Sequence, residues 1–269
     1  MTTQAAPEAL PRGDALAARR TRTARVLGAM TRSEARLLWR EPVIVMFAVG
    51  LPVVLVAILG SVPAFRDVDP ELGGVRVIDL YLPITSVMAV AMLGLNLTTV
   101  TLGGYREKGI LKRLATTPVS PLLLLAAHGL VVAGTAVLVA VLAHLVGAVA
   151  FDVPVPEQPV GYALAFSLTI ATLVALGLLI AAVAPSAGAA NGIGTGLFFP
   201  LMFFAGLWAP REAMPDVLVR ISDATPLGAA VGALQDSMAG SWPGAVHVGV
   251  MAAYIVLCGA GAARWFRWT

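Results

Sequence analysis

The sequence predicts an all-α, polytopic integral membrane protein with six transmembrane helices. An amphipathic elbow helix precedes them, and an extracellular re-entrant helical segment is expected between helices 5 and 6. Hydrophobic residues make up 58% of the 269 residues and charged residues only 12%, whereas a soluble domain carries about 25% charged residues. Apolar runs such as residues 122–127 do not alternate with polar residues as barrel strands do. This composition excludes a secreted domain, a cytosolic enzyme and a disordered chain.

The positions of the helices follow from the stretches that lack charge. A charge at the bilayer centre costs at least about 2.5 kcal/mol, and a spanning helix needs about 20 apolar residues. Residues 158–210 are uncharged and long enough for two helices, with a break at residues 185–188 where Pro and Gly interrupt the pattern. The predicted helices, numbered spans 1 to 6, cover residues 42–61, 80–103, 121–149, 160–183, 188–207 and 244–264.

Basic residues indicate the orientation, because Lys and Arg are retained on the cytoplasmic side. Eight arginines and four acidic residues precede span 1, and the loop after span 2 carries four basic residues against Glu107. The loop between spans 1 and 2 is net negative. We therefore expect both termini in the cytoplasm, with residues 1–24 as a disordered tail. Sixteen of the eighteen basic residues are arginine, which favours a bacterial protein and hence the bacterial inner membrane.

The interiors of the predicted spans contain no carboxylate, lysine or arginine, whereas ion-coupled carriers and pumps usually place such groups there. Asn96, His128 and His144 are the notable polar side chains. We expect the two histidines to form interhelical hydrogen bonds or to lie near the membrane interface. A proton relay or a metal site is the alternative.

A nucleotide site is not predicted. A phosphate-binding loop needs Lys after Gly, but Lys108 and Lys112 follow Glu107 and Leu111. We therefore predict no enzyme activity, no metal and no cofactor in this chain, and no nucleic-acid partner. If ATP and Mg²⁺ drive the protein, a separate subunit binds them.

The segment before span 1, residues 27–41, is predicted to form the elbow helix on the inner leaflet. Arg32, Arg36 and Arg40 recur every four residues and form one ridge, where they would lie near lipid phosphates. Trp39 belongs to the apolar side. The alternative is a frayed, solvated basic leader.

The loop after span 2, residues 105–118, reads YREKGILKRLATTP. Leu111 and Leu114 can share one side while Lys112 and Arg113 face solvent. This pattern favours a small helix that docks into a groove of a cytoplasmic partner. The alternative is an ordinary basic cytoplasmic loop.

The segment between spans 5 and 6, residues 208–240, is unusually apolar and rich in proline, yet its apolar stretches are shorter than a span. We expect a broken element that dips into the leaflet and is sheltered by protein. A plain surface loop is the alternative.

In order and topology, these segments resemble the membrane subunit of ABC transporters of the type-2 export class, which includes bacterial multidrug and antibiotic-resistance permeases. The family pattern after span 2, Arg-Glu-x-Gly-x-Leu-x-x-Leu-x-x-Thr-Pro, is matched by Arg106, Glu107, Gly109, Leu111, Leu114, Thr117 and Pro118. The family pattern between spans 5 and 6 is matched by Gly206, Pro210, Met214, Pro215, Pro226 and Leu227. The likeness covers nearly all of residues 25–269.

The resemblance implies that two such subunits, a second copy or a related permease, pair in the lipid membrane and sit on two separately encoded ATPase subunits. Residues 105–118, including Lys108, Lys112 and Arg113, would form the coupling helix in the ATPase cleft. ATP-driven closure would then send an amphipathic cargo outwards beneath the re-entrant segment. Such a cargo is a drug or antibiotic, a lipid or a lipid-linked glycan. The alternatives are a secondary carrier or channel that works alone, and a non-transporting scaffold or sensor.

Overall fold

The computed structural model describes residues 12–72, 74–116 and 120–265. Six of its helices are long and apolar enough to cross a membrane, which confirms the predicted all-α polytopic fold. Spans 1 to 6 are Pro42–Ser61, Val77–Glu107, Leu122–Phe151, Pro159–Val183, Ala187–Phe204 and Ala245–Trp265.

The elbow helix is longer than predicted. It extends over Arg12–Trp39, so residues 12–24 are helical and not the disordered tail that the sequence suggested. The reason is local propensity, because this stretch is rich in Ala and Arg, which are strong helix formers. Residues 1–11 of the expected tail lie outside the described residues.

Short elements connect the spans. A two-residue antiparallel hairpin, Val68–Asp69 with Val75–Arg76, lies between spans 1 and 2. The helix Ile110–Ala115 lies between spans 2 and 3, and we call it the coupling helix after its predicted role. We call the end of the bundle that carries this helix the coupling end, and the opposite end the re-entrant end.

The re-entrant pair consists of helices Asp216–Ala224 and Pro226–Met238, which are bent by 100° relative to one another. Thr225 lies between them in an extended conformation, which the following proline favours. Its hydroxyl accepts a hydrogen bond from the Gly228 amide at 3.1 Å and so caps the second helix. This bend confirms that the segment is broken, while its re-entry into the membrane stays a prediction.

Span 2 is the central helix of the bundle, and most of its residues are buried between its neighbours. Close approach to span 4 depends on small residues. A methyl group at Gly177 of span 4 would overlap the carbonyl oxygen of Gly94 in span 2. Small residues let two backbones approach closely, and this is how helices associate where lipid is as apolar as the side chains.

An arginine anchors span 2 at the re-entrant end. Arg76 binds Asp79 through two hydrogen bonds of 2.7 and 2.8 Å and donates to the carbonyl of Asp152, just beyond span 3, at 2.8 Å. The hydrogen bonds that Arg76 donates to Asp79 raise the pKa of the Arg76 guanidinium. Its positive charge lies at the negative end of span 3.

Replacing Gly177 with Ala is expected to lower the free energy of unfolding by about 1–3 kcal/mol, because the added methyl group forces spans 2 and 4 apart. The measurement is unfolding of the purified protein in mixed micelles with increasing dodecyl sulfate. Gly259→Ala in span 6 is the matched control, since nothing lies within 4 Å of a methyl group there. Equal stability of the two variants would contradict the proposed tight contact.

Candidate functional site

The loop that the sequence singled out after span 2 is not one helix. Span 2 continues through Glu107, and Gly109 follows with a left-handed φ of 65°. That conformation ends the helix at little cost only for glycine, and the coupling helix starts directly after it. The single helix predicted over residues 105–118 is therefore two pieces. Thr117 and Pro118 lie outside the described residues.

The coupling helix presents charge outwards and one apolar side inwards. Lys108, Lys112 and Arg113 are exposed, and Leu114 is half-buried. Leu114 packs beside a small apolar cluster that includes Leu124 of span 3 and Ala182 of span 4. The side chain of Leu111 lies outside the described residues. The described side chains thus follow the predicted amphipathic pattern, while their role in docking stays a prediction.

Arg106 points back into the bundle rather than outwards. Its guanidinium donates to the carbonyls of Ala181 at 3.2 Å, Ala182 at 3.3 Å and Ala184. These are among the last carbonyls of span 4, which lack partners within their own helix. A cation at this end also opposes the negative pole of the helix dipole. Arg106 therefore caps span 4.

Glu107 caps the next helix along the chain. Its carboxylate accepts a hydrogen bond from the backbone amide of Ala187, the first residue of span 5, at 2.7 Å. An anion is favourable at this positive end of a helix. We call Arg106 and Glu107, with the backbone groups they bind in residues 181–187, the helix-break clamp.

The sequence reasoning assigned these two residues to the partner surface and missed their inward contacts. The sequence did contain one signal. Arg106 and Glu107 place a cation next to an anion, and the break around Pro185 places the end of one helix next to the start of another, which are the groups that such charges bind. What the sequence could not provide was the proximity of the two segments.

The elbow helix places its predicted basic and aromatic residues on the surface. Arg32, Arg36, Trp39 and Arg40 are all exposed, a disposition compatible with contact to lipid head groups. Glu34, which interrupts the apolar side in the sequence, is instead buried, with 7% of its surface exposed.

Glu34 joins the elbow helix to spans 2 and 3. It accepts a hydrogen bond from the Tyr105 hydroxyl, and its other oxygen lies 3.4 Å from Nδ1 of His128. Nε2 of His128 lies 3.1 Å from the hydroxyl of Thr98. A buried carboxylate needs such partners to offset its desolvation. His128 thus makes the interhelical contacts expected of it.

The residues predicted for the re-entrant segment occupy its turning points. Gly206 ends span 5 with a φ of 91°, Met214 is buried, and Leu227 is fully buried in the second helix of the pair. Pro215 precedes the first helix and Pro226 starts the second. Pro210 precedes a short 3₁₀ turn.

A polar cluster that the sequence reasoning missed holds this segment. Arg211 is 7% exposed and donates to the Gly228 carbonyl at 2.7 Å and to Asp223. His247 of span 6 lies between Asp223 at 3.4 Å and Asp236 at 3.1 Å. The cluster links the re-entrant pair to span 6. Over the described ranges, no group of three His, Cys, Asp or Glu side chains is placed to hold a metal ion.

A cavity of about 310 Å³ lies between spans 1, 2 and 5. Each of spans 1 and 2 has a π-helical stretch beside it, Met46–Gly50 and Met92–Leu97, and such bulges are frequent at functional sites. The cavity is lined by Val43, Ile44, Phe47, Ala48, Met92, Asn96, Thr195, Phe198 and Phe199.

Two side chains that line this cavity, Asn96 and Thr195, are polar. The Thr195 hydroxyl donates to the side-chain carbonyl of Asn96 at 2.9 Å, while the Asn96 amide nitrogen makes no hydrogen bond with the described residues. No charged side chain lines the cavity. The arrangement can hold an uncharged apolar or aromatic group and offer it one hydrogen-bond donor.

Comparison with known proteins gives one family. The family model described as ABC-2 type transporter matches residues 25–239, which is well over half of the chain. No curated protein matches the sequence.

Replacing Tyr105 with Phe is expected to lower the free energy of unfolding by about 1–3 kcal/mol, because the buried Glu34 carboxylate loses a hydrogen-bond donor. The measurement is again unfolding in mixed micelles. Tyr254→Phe is the control, since its hydroxyl makes only a 3.4 Å contact with the Ala224 carbonyl and should matter by less than about 0.5 kcal/mol. Indistinguishable losses in the two variants would contradict a stabilising role for the Tyr105–Glu34 contact.

Proposed function

Because the chain belongs to the ABC-2 type transporter family, we propose that it is the permease subunit of an ATP-driven exporter in a bacterial inner membrane. The family match over residues 25–239 is the observation that carries this proposal. The chain would work with a separate ATPase subunit and with a second copy of itself or a related permease. Both termini would lie in the cytoplasm.

The need for a separate ATPase is supported by the sequence. A nucleotide-binding loop places Lys directly after Gly, and the two lysines of this chain, Lys108 and Lys112, follow Glu and Leu. ATP and Mg²⁺ would therefore bind to the partner. The ATPase subunit would hydrolyse ATP, and the membrane subunit would change conformation in response.

The exposed side of the coupling helix is suited to dock on that partner. Lys112 and Arg113 project from a short helix whose opposite side packs on the bundle. A cationic helix of this kind fits a groove with acidic residues at its rim. Movement of the groove during ATP hydrolysis would then push on the coupling helix.

The cavity between spans 1, 2 and 5 is the proposed cargo site. Its walls are apolar and aromatic, with Asn96 and Thr195 as the polar pair. An uncharged amphipathic molecule suits these walls better than an ion, because an ion would lose its hydration without a charged partner. A drug or antibiotic, a lipid and a lipid-linked glycan all fit this description.

The coupling proposal predicts that the double variant Lys112→Glu/Arg113→Glu loses its ATPase partner, since both charges at the contact are reversed. We expect at least about a tenfold loss of ATPase subunit recovered by co-purification from native membranes. Arg66→Glu, an exposed residue of the loop between spans 1 and 2, is the charge-reversal control.

Unchanged recovery of the ATPase in the double variant would remove Lys112 and Arg113 from the docking surface. Two other results would argue against the function itself. One is native purification that recovers no ATPase at all. The other is ATP hydrolysis or solute movement by the chain reconstituted alone, which would revive the carrier and channel alternatives.

The cargo proposal predicts that Asn96→Leu weakens cargo binding about five- to tenfold, because one hydrogen bond in an apolar cavity is lost. The measurement is the concentration of a fluorescently labelled, uncharged glucosylceramide that gives half-maximal ATP-driven transport in proteoliposomes. Ser167→Ala is the control, because Ser167 is an exposed residue of span 4 that hydrogen-bonds within its own helix. Equal half-maximal concentrations for wild type and Asn96→Leu would remove Asn96 from the cargo site.

A further inference from the structure

We propose that the helix-break clamp carries the movement of the coupling helix to span 5, and so to the wall of the cargo cavity. Arg106 and Glu107 are then positioning residues that act within the membrane subunit and do not touch the ATPase. This inference rests on the proposed function. It adds the route by which movement of the coupling helix reaches the cargo cavity.

The direction of the two side chains supports this role. Within the described residues, the hydrogen bonds of the Arg106 guanidinium go to carbonyls at the end of span 4. One carboxylate oxygen of Glu107 accepts from the first amide of span 5. Both side chains are thus bonded within the bundle, whereas Lys112 and Arg113 of the coupling helix are exposed.

The charges of Arg106 and Glu107 strengthen the contacts of the clamp with both span 4 and span 5. Arg106 opposes the negative end of span 4, and Glu107 opposes the positive end of span 5. Bonds between charged side chains and the free groups of helix ends are stronger than neutral ones. Because the two residues are adjacent on the last turn of span 2, that turn cannot move without pulling both helix ends.

A continuous path leads from the clamp to the cavity. Ala187, which Glu107 holds, is the first residue of span 5. Thr195 lies eight residues further along the same helix, which is about 12 Å, and its hydroxyl binds Asn96 in the cavity. Phe198 and Phe199 follow on the same span. Movement of the first residue of span 5 would therefore move the cavity wall, because both belong to one continuous helix.

The test follows two distances by spin labelling in the full complex with its ATPase, in a Cys258→Ala background. One pair, Thr116→Cys with Gly192→Cys, joins the exposed residue directly after the coupling helix to span 5. The other, Val54→Cys with Leu197→Cys, spans exposed positions of spans 1 and 5. Each distance is measured without nucleotide and after trapping with ATP and vanadate.

In the otherwise native complex, the first distance should stay constant and the second should change on trapping. With Glu107→Ala, the first distance should change and the second should respond little, because span 5 no longer follows the coupling helix. Glu107→Gln keeps an oxygen acceptor for the Ala187 amide and should restore most of the response. Asp67→Ala, which removes an exposed carboxylate from the loop between spans 1 and 2, should behave as the native complex.

A functional readout separates positioning from simple stability. Glu107→Ala should raise the ATP hydrolysed per molecule of labelled, uncharged glucosylceramide transported by about tenfold, with the ATPase still bound. A merely structural role would broaden both distances before nucleotide is added and lower hydrolysis and transport together, which would overturn the proposal.

The remaining outcomes are also decisive. An unchanged span 1–span 5 response in Glu107→Ala would overturn the clamp, and so would loss of ATPase co-purification in that variant, since Glu107 would then belong to the docking surface. A native complex that binds no ATPase or shows no ATP-driven movement would refute the proposed function instead.

Discussion

The structure depends on the close contact of span 2 with its neighbours. Between helices in a bilayer there is little hydrophobic driving force, so contact area and backbone proximity supply most of the attraction. Gly177 lets span 4 approach the span 2 backbone, and Asn96 bonds to Thr195 of span 5. Span 2 thereby becomes the axis on which the coupling helix, the cavity and the re-entrant pair are arranged.

The second constraint is that helix ends need partners. Four carbonyls and four amides at each helix have none within the helix. Charged side chains at the two ends of span 2 bind such groups in this bundle. Arg76 binds a carbonyl beyond span 3 at the re-entrant end, and Arg106 with Glu107 binds both sides of the span 4–span 5 break at the coupling end.

These two constraints connect the ends of the molecule. Span 2 is packed along most of its length and is bonded to neighbouring helices at both ends. The cavity lies where spans 1, 2 and 5 meet, and spans 1 and 2 have π-helical stretches there. At the far end, His247 links span 6 to both helices of the re-entrant pair through Asp223 and Asp236. On the proposed outward route, cargo would pass the re-entrant pair, which is held by polar contacts as well as by apolar packing.

The sequence by itself determined the number of spans, their approximate positions and the broken segment between spans 5 and 6. These features follow from constraints that act on each segment separately. They are the free-energy cost of a charge in hydrocarbon, the thickness of the bilayer and the effect of proline on helices. Only the tertiary structure decided what Glu34, Arg106, Glu107 and His247 bind. Their partners lie between 11 and 94 residues away, and no local pattern shows which distant helix end or side chain will be adjacent. The start of the elbow helix at Arg12 was the local exception, because helix propensity there was read as disorder.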